Sequence, residues 1–203
     1  PKKVLYFHND PLEMSGSRKI NDRIFLIDNL DKIIFNSSWS KSRFIKKLPI
    51  AYLSSNKLIV IKQSISRKQI NLKKKKKTII FVGKLNSAKG YDIFGKAVLP
   101  ILTKNKDWSA IVIGDEPREK INFEHPRFKN LGFLKHKYVL NNLEKASIAV
   151  VCSRWNEPFG RTSLEAASRG CGVIISDRGG LKETITDGII IKKITAENFV
   201  KKI

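Results

Sequence analysis

From residue 78 onward, the chain alternates short apolar runs with amphipathic segments. Runs of apolar residues predict strands at 79–82, 110–113, 148–152 and 173–176, with a weaker strand near 129–131. Apolar side chains recur every three or four residues over 91–104, which predicts a helix there despite Pro100. Further helices are predicted at 139–145, at 162–169, after Gly180 and at the end of the chain. This alternation is typical of a Rossmann-like parallel sheet with helices on its faces.

Residues 1–61 repeat this pattern on a smaller scale. They predict a strand ending at His8, a helix over about 19–30, a strand at 32–35 and a helix that begins near Ser37. We interpret this segment as the end of another α/β domain. The predicted fold class is therefore α/β, with a Rossmann-like domain at 78–203 and part of a second α/β domain at 1–61.

A run of five lysines, 73–77, lies between the two patterns. Because like charges repel one another, we interpret residues 62–77 as a lysine-rich linker between domains. The same run also fits a solvated loop before a strand, or a contact with an anionic nucleic acid or phospholipid surface.

Composition excludes several classes of protein. With 203 residues, 41% of them hydrophobic, the chain can bury a core and is not a disordered basic tail. Its net charge of +22 makes anionic partners the first to consider. It has no apolar stretch near the roughly 20 residues of a membrane helix and no signal peptide, so we expect a protein that is soluble or peripheral to the membrane. Cys152 and Cys171 lack zinc-site spacing and predict buried, reduced thiols, which indicates a cytoplasmic setting.

The ends of the chain suggest that it is a fragment. The first residue is Pro1, and a predicted strand begins almost at once. At the other end, a capped helix is predicted to stop where the chain stops, at Ile203. We therefore expect sequence to be missing on both sides.

The segment from Glu157 to Glu165 carries the strongest chemical signal, because it follows a buried strand and leads directly into a helix. The free amides of Gly160, Arg161 and Thr162 at a helix start suit a phosphate group. The two acids can accept hydrogen bonds from hydroxyl groups if they face one groove. A nucleotide sugar carries phosphate groups next to a sugar with several hydroxyl groups, so it would satisfy both kinds of contact. Alternatively, Glu165 only complements the helix dipole and Glu157 is an exposed loop acid.

This segment resembles the E-x7-E motif of family 4 glycosyltransferases, which have the GT-B fold. The resemblance includes Phe159 followed by Gly160, and it continues through Glu165 to Gly170. It implies that Glu157 orients the hydroxyl groups of the donor sugar and that Glu165 holds the ribose. Phe159, Gly160, Arg161 and Thr162 are then donor-binding residues.

A second segment, residues 81–90, is similar to the strand, glycine turn and basic pair of the same family. The resemblance implies that Gly83, Lys84 and Lys89 hold the donor diphosphate. Glycine permits close approach of the backbone, and two cations offset the charge on the leaving group. The chain departs from the family at Lys84, where arginine is more usual, so a bidentate contact is lost while the charge remains.

Other segments fit the same resemblance. His8 occupies the place of a histidine that faces the donor sugar from the N-terminal domain, whereas His125 and His136 are interpreted as bystanders in polar loops. The turn at 179–180 resembles the family's glycine turn, although a tight turn needs no ligand. The segment 132–134 is similar to the place that holds the nucleotide base.

The resemblance implies a retaining glycosyltransferase that moves a sugar from a nucleoside-diphosphate sugar to a glycan or a lipid-linked acceptor. It implies no metal and no cofactor, with peripheral contact to an anionic membrane as a further expectation. One alternative is a basic nucleic-acid-binding module, which explains the charge but not the acids at the strand end. Another is a different GT-B enzyme, such as a nucleotide-sugar epimerase. Because most of the acceptor domain is missing, we expect the chain alone to bind a nucleotide without transferring sugar.

Overall fold

The computed structural model describes residues 1–66 and 69–203, and these contain two parallel sheets. The smaller sheet has the order β1-β2-β3, with each strand parallel to its neighbour. Its strands are β1 (Val4–Phe7), β2 (Lys32–Phe35) and β3 (Leu58–Val60), and its helices are α1 (Ile20–Asn29), α2 (Ser38–Ile45) and α3 (Ile50–Leu53). We call this part, residues 1–61, the first unit.

The larger sheet has the order β6-β5-β4-β7-β8-β9, again with all neighbours parallel. The strands are β4 (Lys76–Val82), β5 (Ser109–Ile113), β6 (Phe128–Asn130), β7 (Ala146–Val151), β8 (Gly172–Ser176) and β9 (Ile189–Ile191). The helices are α4 (Tyr91–Lys104), α5 (His136–Lys145), α6 (Arg161–Ser168) and α7 (Ala196–Val200). We call residues 76–203 the second unit. Its strand order reverses between β4 and β7, and ligands of open α/β sheets bind at such a reversal.

Helices cover both faces of the larger sheet. Successive apolar residues of its strands point to opposite faces and pack against these helices. Ile79 and Phe81 pack on one face with α4 and α7, whereas Ile80 packs on the other face against α5 and α6. In the first unit, the rings of Phe7, Phe35 and Phe44 form the centre of a separate core. Burial on both faces explains why the inner strands β4, β5, β7 and β8 each contain a run of apolar residues.

Most predicted elements are confirmed. The strand at 32–35 and the helix at 91–104, which contains Pro100, have the predicted bounds. The other predicted strands and helices of the second unit lie within a few residues of their predicted limits. Strands β3 and β9 were not predicted, because each is only three residues long. Among the described residues, no helix combines the length and apolarity needed to cross a membrane.

The lysine run is more ordered than its charge predicts. Strand β4 begins at Lys76, inside the run and before the predicted domain start at residue 78. The ammonium of Lys75 donates to the carbonyls of Leu143, Ala146 and Arg169 at 3.1, 2.7 and 2.6 Å. Like-charge repulsion therefore does not keep Lys75 in solvent, since backbone carbonyls replace the water around its charge. The predicted linker, 62–77, includes residues 67 and 68, which lie outside the described residues, and the domain limits stay a prediction.

Candidate donor-binding site

A cavity of about 300 Å³ opens at the point where the strand order of the larger sheet reverses. Its walls come from both units. The first unit and the segment after it contribute His8, Asn9, Asn36 and Gln63, and the second unit contributes Phe81, Val82, Gly83, Lys89, Val151, Ser153 and residues 157–162. The carboxyl ends of β4 and β7 therefore form one side of a cleft, and the carboxyl end of β1 forms part of the other.

An ion pair between Lys89 and Glu157 lies in this cavity. The Nζ of Lys89 is 2.5 Å from Oε1 of Glu157, and the two side chains are 32% and 13% exposed. Lys89 is held near the start of α4 by its backbone N–H, which donates to Oδ1 of Asn86 at 2.9 Å. An anion that entered the cavity would compete with Glu157 for the Lys89 ammonium, leaving the carboxylate free to accept hydrogen bonds from hydroxyl groups.

Helix α6 begins at the cavity wall without a side-chain cap. Its first residue follows Gly160, whose φ of 106° lies in the left-handed region. A Cβ on Gly160 would lie 2.4 Å from Cδ2 of Leu181, so no larger residue fits without movement. Arg161 and Thr162 also line the cavity. The first amides of the helix and its dipole therefore favour a negatively charged group here.

The backbone of Glu157 is fixed by the glycine turn at 179–180. The N–H of Gly180 donates to the carbonyl of Glu157 at 2.6 Å. A Cβ on Gly179, whose φ is 62°, would approach the same carbonyl to 2.2 Å. The turn therefore packs directly against the acidic loop, which gives it a positioning role beyond that of a simple tight turn.

The structure separates the two acids of the motif. Glu157 lines the cavity, whereas Glu165 does not. Oε1 of Glu165 is 3.0 Å from Nε2 of His136 and 3.4 Å from a guanidinium nitrogen of Arg161. The interpretation of His136 as a bystander in a loop is wrong, because it is the first residue of α5 and pairs with Glu165. Their contact depends on the packing of α5 beside α6, which local sequence does not reveal.

Lys84 lies outside the first cavity and lines a second one of about 290 Å³. The two cavities share Val82 and Gly83, so they adjoin each other at the end of β4. Phe133 and Leu134 also line the second cavity, whose walls are mainly apolar. This is the segment for which the sequence predicts contact with a nucleotide base.

His8 also lines the first cavity, to which it comes from the first unit whereas Glu157 comes from the second. Its Nδ1 is 3.2 Å from Nε2 of Gln63, and its backbone carbonyl accepts a hydrogen bond from Nδ2 of Asn36 at 3.1 Å. Gln63 and Asn36 are cavity residues that sequence reasoning missed. Their position just after predicted strands was a possible signal. It is a weak one, because many polar residues at the ends of strands bind no ligand.

Comparisons with known proteins agree with this arrangement. The model of the family described as glycosyl transferases group 1 matches residues 62–203, more than two thirds of the chain. A 2-deoxystreptamine N-acetyl-D-glucosaminyltransferase of Niallia circulans is 32% identical over 120 residues, which is 56% of this chain and 31% of that protein. A putative glycosyltransferase, YtcC of Bacillus subtilis, is 26% identical along the whole chain and 57% of its own length.

Solved structures show the same fold. The crystal structure of Anabaena Alr3699/HepE in complex with UDP superposes with a TM-score of 0.79 at 18% identity, covering 99% of this chain and 61% of that one. The likeness confirms the predicted α/β, GT-B type of fold. The chain spans about a third of the length of the first curated relatives that it matches. On the match across residues 62–203, the chain belongs to the group 1 family of glycosyl transferases.

Proposed function

We propose that this chain is part of a retaining, family 4 glycosyltransferase that binds a nucleoside-diphosphate sugar and transfers its sugar to a glycan or lipid-linked acceptor. The observation that carries the proposal is the Lys89–Glu157 ion pair beside the uncapped start of α6. It places a cation, a set of free amides and a carboxylate within one cavity. The cation and the free amides suit a diphosphate, and the carboxylate suits the hydroxyl groups of a sugar.

Each group has a distinct role in this proposal. The bond between the diphosphate and the anomeric carbon breaks while the acceptor hydroxyl oxygen bonds to that carbon and its proton passes to the departing diphosphate. Lys89, Lys84 and the amides at the start of α6 offset the charge that develops on this leaving group. Glu157, released from Lys89, accepts hydrogen bonds from the sugar. His8 contributes from the facing wall and holds the sugar close to the bond that breaks. No metal or cofactor is needed for these steps.

The rest of the nucleotide extends into the adjoining cavity. Gly83 lets the backbone approach the phosphates, and the apolar walls near Phe133 cover the base. Glu165 lines neither cavity but lies on α6 one turn beyond Arg161, which lines the first, and in this proposal it is held by His136 and accepts hydrogen bonds from a ribose that lies against that turn. The neighbours support a nucleotide-sugar donor, because structures of Anabaena Alr3699/HepE were solved with UDP, with UDP-glucose, and with UDP and glucose.

The decisive experiment is a calorimetric titration with UDP, GDP, ADP and their sugars. We expect one nucleotide to bind. Lys89→Ala removes a cation from the diphosphate and Glu165→Ala removes an acceptor from the ribose, so we expect each substitution to weaken nucleotide binding by about tenfold or more. Lys96→Ala is a matched control, because Lys96 is exposed on the same helix that follows Lys89. If no nucleotide binds, or if all three variants bind alike, the site assignment is wrong.

Activity needs a separate measurement. A protein extended to the full length of its relatives should transfer sugar only when an acceptor is present, with retention at the anomeric carbon. Turnover of the nucleotide sugar without an acceptor would instead identify an epimerase or a related enzyme. Salt-sensitive binding to RNA or DNA that a nucleotide sugar leaves unchanged would favour the nucleic-acid-binding alternative.

A further inference from the structure

The first unit contains a basic cavity of about 560 Å³ at the start of α1. Five of its lining residues are cationic, and none is acidic: they are Arg18, Lys19, Arg23, Lys46 and Lys47. Within the described residues, the side-chain ammonium groups of Lys19, Lys46 and Lys47 have no salt-bridge partner. A concave surface lined by one sign of charge concentrates ligands of the opposite sign.

The base of the cavity is a buried positive charge. Arg23 is only 2% exposed, and its guanidinium donates to the carbonyls of Phe44 at 2.6 Å and Lys46 at 3.2 Å. Across residues 1–66 and 69–203, no carboxylate lies within salt-bridge distance of it. Burial lowers the pKa of Arg23, and the charge of neighbouring Asp22 partly opposes this shift. An anion in the cavity would compensate a charge that now has only carbonyl partners.

The nearest acid on α1 is already engaged in the helix. A carboxylate oxygen of Asp22 accepts the backbone N–H of Lys19 at 3.3 Å, and Asp22 does not line the cavity. Among the described residues Asp22 forms no ion pair with the lysines and arginines that line the cavity, so it offsets their charge only in part, through its effect on Arg23.

Lys47 gives the cavity a second unusual feature. Its φ of 63° makes it the one non-glycine residue with positive φ among the described residues. The hydrogen bond from Arg23 to the carbonyl of Lys46 lies next to this strained residue. Strain of this kind is concentrated at functional sites, and here it occurs in a residue that lines the basic cavity.

We propose that this cavity binds a phosphate-bearing ligand. A phosphate group offers several acceptor oxygens to the surrounding cations, and Leu12 and Ile20 provide apolar surface for the organic part that carries it. The site is separate from the donor cavity. His8 and Asn9 line the donor cavity, while Leu12 and Arg18, farther along the same loop, line this one.

The loop between the two cavities is fixed in place. Asp10 is 3% exposed, and its carboxylate accepts hydrogen bonds from the guanidinium of Arg43 at 2.7 to 3.1 Å. The two cavities share no lining residue, so they are distinct candidate sites on either side of this pinned loop.

The test is direct binding of two soluble probes, inorganic phosphate and glycerol 3-phosphate, together with co-sedimentation on phosphatidylcholine vesicles with and without phosphatidylglycerol. The variant combines Lys46→Gln with Lys47→Gly. Glycine tolerates the positive φ of residue 47, so the variant should fold at least as stably as the native chain. The control combines Lys201→Gln with Lys202→Gln, which removes the same charge from exposed residues of the last turn.

We expect the variant to bind the phosphate probe about tenfold more weakly and the control to bind as the native chain does. Binding of glycerol 3-phosphate that depends on Lys46 and Lys47 identifies a soluble phosphate ligand. Binding only to vesicles with phosphatidylglycerol, with the same dependence, identifies a lipid headgroup. If neither probe nor vesicle binds, or if variant and control lose affinity equally, the inference is wrong. Nucleotide binding in the donor cavity is measured separately and does not affect this outcome.

Discussion

The carboxylate of Glu183 accepts the backbone N–H of Trp39 at 2.8 Å, so an acid of the second unit caps a helix of the first. Its other oxygen accepts the N–H of Ser38 at 2.9 Å. The residue before this helix, α2, contacts the segment that follows Glu157, because Oγ of Ser37 donates to the carbonyl of Pro158 at 2.5 Å. The start of α2 thus joins the two units beside the donor cavity.

Loss of the Glu183 carboxylate should destabilise the chain. Glu183→Ala leaves two amides at the start of α2 without their acceptor, and we expect the free energy of unfolding to fall by about 1–3 kcal/mol. Urea unfolding followed by circular dichroism measures this change. Glu124→Ala is the control, because Glu124 is exposed. Equal effects of the two substitutions would show that the cap contributes nothing.

The same cap predicts a pH dependence. Burial raises the pKa of Glu183, but the backbone hydrogen bonds from Ser38 and Trp39 and the charge of Lys62 outweigh it and hold the pKa below its usual value. An acid whose pKa is lower when folded stabilises the fold fully above its unfolded pKa, and this contribution is lost as the pH falls through the folded pKa. The difference in unfolding free energy between the native chain and Glu183→Gln should therefore shrink as the pH is lowered from neutral into the acid range. A difference that stays constant contradicts the assignment.

Local patterns predicted the elements that carry the donor cavity. The helix at 91–104 follows from apolar spacing alone, and the acidic loop could be placed because it joins a strand to a helix. Strand order cannot be read in this way. The adjacency of β4 and β7 depends on a crossover that brings together segments more than sixty residues apart.

Side-chain partners were the least predictable part of the site. Glu165 and His136 are 29 residues apart, and only the packing of α5 beside α6 brings them together. Glu183 caps a helix 144 residues earlier in the chain. Among the consecutive lysines, Lys75 looks like its neighbours in sequence, but three carbonyls surround its ammonium.

Lys75 should contribute more to stability than the lysine beside it. Lys75→Met keeps most of the aliphatic stem but removes the charged donor from three carbonyl groups, two of which also accept from the Sγ of Cys171, so we expect a loss of about 2–4 kcal/mol in unfolding free energy. Lys74→Met is the matched control, because Lys74 is exposed. Chemical unfolding of both variants measures the contrast. Similar stabilities would mean that water replaces the ammonium at no cost.

Gly160 should be required for the shape of the donor cavity. Gly160→Ala combines an unfavourable φ with a contact at 2.4 Å to Leu181, and we expect it to reduce the unfolding free energy by about 1–3 kcal/mol and to weaken nucleotide binding. Gly16→Ala isolates the backbone cost, because Gly16 also has a positive φ but no atom near its added Cβ. Thermal unfolding and nucleotide titration of both variants measure the two effects. If Gly16→Ala is equally harmful, the clash with Leu181 has no role.

His136 should act on the nucleotide through Glu165. The contact of 3.0 Å holds the carboxylate in place, so under the proposed function His136→Ala should weaken nucleoside-diphosphate binding by about three- to tenfold. In a Glu165→Ala background the same substitution should have no further effect, because the group that it positions is gone. A 2′,3′-dideoxy nucleotide should likewise bind the native chain and His136→Ala almost equally, since it lacks the hydroxyls that Glu165 would accept. His125→Ala, in a loop of the same unit, is the control. An effect of His136→Ala that persists without Glu165, or with the dideoxy nucleotide, means that His136 acts by another route.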